Sequence, residues 1–285
     1  MKTKNLFILI VLFGAIVFSS CSKKEGCTDP SAENYDPNAE KDNGTCLYKT
    51  PTPPIATSGS VTFTFAHHFA GTTVIDHNLH VPSFSYVNAN NDTLSISKLK
   101  YLISDIRFFK SNGDSLVIEG HHFIDLTDAT TLTYSPTFDL PFDTYTSVSF
   151  NFGLDSVDNV SNAYPDLNSL TWNWLDAIGG GYHFMQMEGH FMYQGNDSIY
   201  TYHMGTAYNM TTMANEQNYF KADLGAITIT NNATIQIKMD ISEWYKNPTN
   251  WDLNQYHSDL MMNYTAQKLM NTVGKDVFSL GMVVQ

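Results

Sequence analysis

Charge is scarce in this chain of 285 residues: Asp, Glu, Lys and Arg make up 15% of it, and 28 acids outnumber 15 bases for a formal net charge of −13. A body so short of basic side chains repels polyanions, which argues against nucleic acid or anionic headgroups as direct partners. Cysteine is scarcer still, at three residues. The sequence has no H-E-x-x-H, no G-x-S-x-G and no G-x-x-x-x-G-K-[ST], so zinc-protease, serine-hydrolase and P-loop chemistry find no footing. No spacing of Asp or Glu marks an acid/base dyad, and no segment repeats. These absences favour a binding module over an enzyme. Long apolar runs are also few: Leu6 to Phe18 is the obvious one, and it is short for a bilayer span.

That run follows Lys2 and Lys4 and precedes Phe18-Ser19-Ser20-Cys21, the layout of an export signal over residues 1–20 ending at a lipobox-type cysteine. Cys21 is then the acylation site, and the lipid is the membrane anchor of an outer-membrane lipoprotein facing the periplasm or the surface. Loss of Lys2 and Lys4 with the signal takes the formal charge to −15. Residues 21–60 read as a polar tether. Within it Cys27 and Cys46 enclose TDPSAENYDPNAEKDNGT, a loop with almost no apolar residue. An oxidising compartment favours a Cys27–Cys46 disulfide as its staple. Calcium is a second reading of its oxygen-rich side chains, although no EF-hand spacing is present.

Alternation begins beyond the Pro-rich break at 50–54: Val61, Phe63, Phe65 and His67 share one strand face. Further strands are expected at 93–96, 101–110, 115–126, 145–152, 182–193, 198–208, 219–224, 234–240 and 277–284. Ser111-Asn112-Gly113-Asp114 and Gln194-Gly195-Asn196-Asp197 read as turns. Two stretches read as helix, 166–175 and 254–271, the second from the spacing of Tyr256, Leu260, Met261, Tyr264 and Leu269 with Gly274 as a stop. The expectation is an all-β fold, an antiparallel β-sandwich over 61–285 with one C-terminal helix and short helical insertions.

The densest chemistry lies in WNWLDAIGGGYHFMQMEG, residues 172–189. Imidazole and thioether beside oxidisable rings suit copper outside the cytosol better than hydrolysis. If 182–193 is an unbroken strand, His183, Met185 and Met187 share a side; Met alone in such a stripe more often fills a core. His257 and Met261 stand four apart on the expected helix and can share an ion. His203, in YTYHMG, and His67 complete the candidate ligands. His67-His68 and His121-His122 each offer one imidazole per face, since neighbours in a strand point oppositely.

These segments, taken in order with VTFTFAHHFAGTTV, LKYLISDIRFFKSNGDS, HHFIDL, YHMGT and HSDLMMNYTAQKLMNTVGKDVFSLG, resemble the MbnP-like proteins. These are exported copper-binding domains often found beside MauG-like dihaem enzymes. The resemblance implies a β-sandwich holding one copper ion and a tryptophan oxidised to kynurenine by the dihaem partner. Trp174 is the first candidate for that change and Trp172 the second. One departure is that Tyr164-Pro165 stands where the family pattern leads one to expect His-Pro. The expected function is Cu(I) sequestration or carriage by His67, His203, His257 and His183 with Met261. The competing reading is a surface lipoprotein that binds glycan or protein through aromatic loops around Trp172 and Trp251 without metal.

Overall fold

The computed structural model describes residues 23–49, 56–75 and 84–285; the export signal and Cys21 lie outside the described residues. Two compact units divide between Ile55 and Ala56. In the first, the Cys27–Cys46 disulfide is formed, and Glu25–Gly26 pairs in parallel with Lys41–Asp42. Its aspartates serve their own turns: Asp29 Oδ1 accepts from the Ser31 N–H and hydroxyl, Asp36 Oδ1 from the Asn38 N–H, and Asp42 Oδ1 from the Gly44 N–H. Each of these oxygens is engaged in its own turn, and among the described residues no three acidic ligand atoms of this unit come together. The described residues that do gather three acidic ligand atoms, Asp105, Asp155 and Asp158, belong to the second unit.

That second unit is a sandwich of two sheets. Its long strands are β1 (Ser58–Phe69), β2 (Lys98–Phe109), β3 (Ser115–Asp125), β4 (Asp143–Phe152), β5 (Met185–Tyr193), β6 (Asn196–Met204), β7 (Phe220–Ile229), β8 (Ala233–Asp240) and β9 (Phe278–Val284). One sheet runs Asp139–Pro141, β1, β8, β9; the other runs β7, β4, β2, β5, with β3 added to β2 and β6 to β5. Pairing is antiparallel except between β1 and β8, which run parallel with Ala233 opposite Val61. A parallel pair needs a crossover, and here it is the whole of the second sheet, intervening in sequence between the two strands.

The pattern along β1 does what its alternation foretells. Val61, Phe63, Phe65, His67 and Phe69 are all buried between the sheets, where Phe63 meets Phe108 and Phe69 meets Tyr245. From the other sheet, Tyr101, Met185, Met187, Tyr202 and Met204 face the same interior. Met185 and Met187 are therefore core residues, and the Met187 sulfur receives the Tyr245 hydroxyl at 3.7 Å.

The C-terminal helix is shorter than its apolar spacing suggests. It spans Tyr264–Val273, preceded by a single 3-10 turn at Leu260–Met262. Asp259 takes a left-handed backbone, φ 56°, and the Asn263 side chain caps the Ala266 N–H. An Asn cap begins a helix and a left-handed residue ends one, so nothing helical runs through 254–259. His257 and Met261 consequently do not stand one turn apart on a common helix face.

Candidate functional site

Three consecutive glycines make the site possible. Gly179, Gly180 and Gly181 all have positive φ, at 116°, 63° and 80°, a run that side chains with a Cβ strongly disfavour. Around them residues 172–183 fold back on themselves. Trp174 N–H donates to the Gly181 carbonyl at 2.9 Å, His183 N–H to the Trp172 carbonyl at 2.9 Å, and Gly180 N–H to Leu175 at 3.1 Å. This loop lies over the face of the second sheet that looks away from the sandwich interior. Trp172 meets Phe123 of β3 edge-on at 4.8 Å, and Trp174 lies so close to Gly205 that a Cβ there would sit 2.5 Å from its ring.

Folded this way, the loop carries His183 out of line with Met185. The strand begins at Met185, so the expected stripe of His183, Met185 and Met187 does not form: both sulfurs enter the core while the imidazole stays on the outer face. There it packs between Trp172 at 5.3 Å and Trp174 at 4.9 Å, ring centre to ring centre, and meets the His203 ring at 5.5 Å. His203 reaches that spot from β6, whose register against β5 sets His203 opposite Gln186 and Thr201 opposite Glu188. Of the expected ligands, the structure unites His183 and His203.

The others lie elsewhere. His67 is inside the sandwich, its Nε2 3.0 Å from the Tyr101 hydroxyl, so the second sheet stands between it and the pair. His257 bonds through Nδ1 to the Leu253 carbonyl at 2.9 Å and packs on Phe191 and Tyr193. Those residues alternate with the outward side chains of β5 and face the opposite way from His203. Met261 sits on the 3-10 turn before the helix. A common ion for His67, His203 and His257 is thus ruled out by the sheet they straddle. The paired histidines behave as alternation requires: His121 turns to Asp166 and Tyr164, while His122 stacks on Phe65 and Tyr134.

Two residues that sequence reasoning passed over complete the cluster. Glu188 Oε1 accepts from His203 Nε2 at 2.9 Å and from Lys98 Nζ at 2.6 Å. The His203 contact, with Lys98 beside it, holds the Glu188 carboxyl well down, at about 2, against the desolvation that opposes them. As the acid of an otherwise nonionic-to-apolar stretch, MQMEGHFMY, Glu188 was the available signal. His183 is held low too, at about 4, because burial disfavours its cation.

The proton positions follow from the partners. A carbonyl and an ionised carboxylate only accept, so His183 carries hydrogen on Nδ1, 3.1 Å from the Trp172 carbonyl, and His203 carries it on Nε2. In neutral rings this leaves His183 Nε2 and His203 Nδ1 as lone pairs. An imidazole whose other nitrogen donates to a carbonyl or carboxylate is the usual state of a metal ligand. The two rings meet edge to face with their centres 5.5 Å apart, and these two nitrogens, His183 Nε2 and His203 Nδ1, are the atoms that would hold an ion. The donor set suits a soft cation content with few ligands. Beside it the Trp172 Nε1 is buried with no hydrogen-bond partner among the described residues, whereas the Trp174 indole donates to the Ile178 carbonyl at 3.3 Å.

A β-sandwich bearing a capped imidazole pair on its outer face is the class that fold and site define. The chain belongs to the MbnP family, whose model matches residues 58–263. Its fold is also that of the solved structure of MbnP from Methylosinus trichosporium, at a TM-score of 0.50 and 14% identity, covering 79% of this chain and 99% of that one. Short segments match two curated chloroplastic ribulose bisphosphate carboxylase/oxygenase activases. One is from Larrea tridentata, 68% identical over 25 residues, and one from Arabidopsis thaliana, 71% identical over 24 residues. The chain spans 5% of the length of each, with 9% and 8% of its own residues.

Proposed function

We propose that this protein is an exported, lipid-anchored binder of Cu(I), with His183 Nε2 and His203 Nδ1 as its ligands and no catalytic role of its own. The observation that carries the reading is the meeting of two imidazoles 5.5 Å apart, each with its other nitrogen committed to an oxygen. Glu188 and the Trp172 carbonyl orient the rings; Trp172 and Trp174 exclude water from one side. Cys21 supplies the anchor to the outer membrane. Copper there is cargo, sequestered or carried.

The partner is a MauG-like dihaem enzyme that oxidises one of the two tryptophans to kynurenine, Trp174 first and Trp172 second. With dioxygen or peroxide as the oxidant the indole C2–C3 bond is cleaved, and water then releases the C2 carbon as formate, leaving a ketone and an aryl amine beside His183, a further nitrogen for the ion. A glycan-binding reading is less well supported, because Trp172, Trp174, Trp244 and Trp251 are each at most 2% exposed and offer no indole face to a sugar.

Anaerobic titration of Cu(I) against a chromophoric chelator tests the assignment. The wild-type chain is expected to hold one tight equivalent, lost with His183→Ala or His203→Ala and kept with His67→Gln or His257→Ala. Tight binding that survives loss of both His183 and His203, in protein isolated with or without the dihaem partner, refutes the ligand set. Intact mass of natively produced protein reports acylation and tryptophan oxidation together.

A further inference from the structure

Strand β6 pairs with β5 alone among the described residues, so the main-chain groups along its other edge need partners from outside the ladder. The Thr201 N–H finds one in the His257 carbonyl at 2.8 Å. The His203 carbonyl and the Gly205 N–H, two and four residues further along, are both taken by one side chain, Gln267 of the C-terminal helix.

Gln267 is fully buried. Its Nε2 donates to the His203 carbonyl at 2.7 Å and to the Leu260 carbonyl at 3.0 Å, while its Oε1 accepts from the Gly205 N–H at 3.2 Å and from the Asn218 side-chain amide at 3.3 Å. Both hydrogens and both lone pairs of the amide are thereby used. Turned over, it would set donor against donor and acceptor against acceptor, so its orientation is fixed. Donating to residue 203 while accepting from residue 205 is what the main chain of a neighbouring parallel strand would do. The side chain stands in for that strand.

The span it grips is the one on which the imidazole pair depends. His203 brings one ring; Gly205 lies against Trp174, whose indole leaves no room for a Cβ there, and Trp174 packs on His183 at 4.9 Å. We infer that Gln267 is the positioning residue of the pair: by holding the main chain at 203 and 205, it sets where the His203 ring and the Trp174 indole stand relative to His183. Its consequence for metal rests on the reading of His183 and His203 as Cu(I) ligands, whereas the placement of the rings does not. Gln267 lies beyond the residues 58–263 matched by the family model, so the assignment stands on the contacts of this chain.

The test compares Gln267→Met, which removes all four bonds, with Val273→Ala, which opens a cavity beneath the same helix six residues further on. In the metal-free chain the 15N shifts of the His203 ring and the tryptophan emission are expected to change with Gln267→Met and to keep their wild-type values with Val273→Ala. Anaerobic competition should show Cu(I) affinity lowered at least roughly tenfold by Gln267→Met and less than about twofold by Val273→Ala. Wild-type ring shifts in Gln267→Met, an affinity equal to that of a binding wild type, or equal effects of the two variants overturn the assignment. Should Gln267→Met not fold, Gln267→Asn takes its place, since it keeps the amide but is one carbon too short to bridge both groups; unchanged ring shifts there overturn the assignment likewise. A wild-type chain that binds no Cu(I) defeats the ligand reading alone, because the metal-free ring shifts test the positioning by themselves.

Discussion

Replacing Glu188 with Gln keeps the shape of the side chain and removes the charge that Lys98 and His203 share. The carboxyl is held at about 2 against an ordinary 4.5, a difference worth roughly 3 kcal/mol at about 1.4 kcal/mol per unit. The group is partly open, with Lys98 35% and Glu188 24% exposed at the side chain, so solvent screening lowers the expectation to about 2 kcal/mol. A carboxyl depressed in the fold contributes stability that is fully present above its unfolded value and lost as the pH falls toward its folded one. Urea unfolding of wild type and Glu188→Gln, followed by the fluorescence of the buried tryptophans, should therefore differ by about 2 kcal/mol at neutral pH, and by less than half as much near pH 3. A difference of the same size at both pH values would refute the charge argument and leave only a steric role for Glu188. The variant should also weaken Cu(I) binding if the carboxylate fixes the His203 tautomer.

His67 makes a prediction of the same kind from inside the sandwich. Burial holds it at about 3 against an ordinary 6.5, so the neutral ring is favoured in the fold and its contribution is lost as pH falls from about 6.5 toward 3. His67→Gln, which keeps a partner for the Tyr101 hydroxyl, should flatten the dependence of the unfolding midpoint on pH over that window; an unchanged slope would count against it. Gly205→Ala tests the cap over the imidazoles. A methyl 2.5 Å from the Trp174 ring must push the indole aside, at a cost of about 1–3 kcal/mol, and should shift tryptophan emission and lower Cu(I) affinity. An unaltered spectrum and midpoint would mean that the Trp174 packing is loose.

How far the sequence carried the structure depends on whether strand alternation or chain reversal decided the point. Alternation placed β1, buried His67 with the phenylalanines, and limited each histidine pair to one ring per face. It also assigned Met185 and Met187 to a core stripe. The error over His183 came from treating 182–193 as continuous: three glycines at positive φ reverse the chain just before it and turn the imidazole to the other face. The error over His257 and Met261 came from apolar spacing read through a stop. Asn263 ahead of Tyr264 was a legible cap, yet the left-handed Asp259 was not, because aspartate enters that region only occasionally and its identity alone does not announce it.

The pairing of His183 with His203 was nearer to hand than the discarded sets. Both flank a single hairpin whose turn at 194–195 was read correctly, and antiparallel register from that turn sets Met185 opposite Met204, bringing 183 and 203 to the same end of the ladder. What register alone cannot give is the face, and the face is decided by the loop of residues 172–183. That division accounts for the make-up of the cluster. Strands β2, β5 and β6 supply Lys98, Glu188 and His203 at fixed spacing, while one glycine-rich loop supplies Trp172, Trp174 and His183. A change to the loop that leaves the hairpin intact should therefore remove one imidazole and both tryptophans at a stroke, yet leave the Glu188–His203 contact in place.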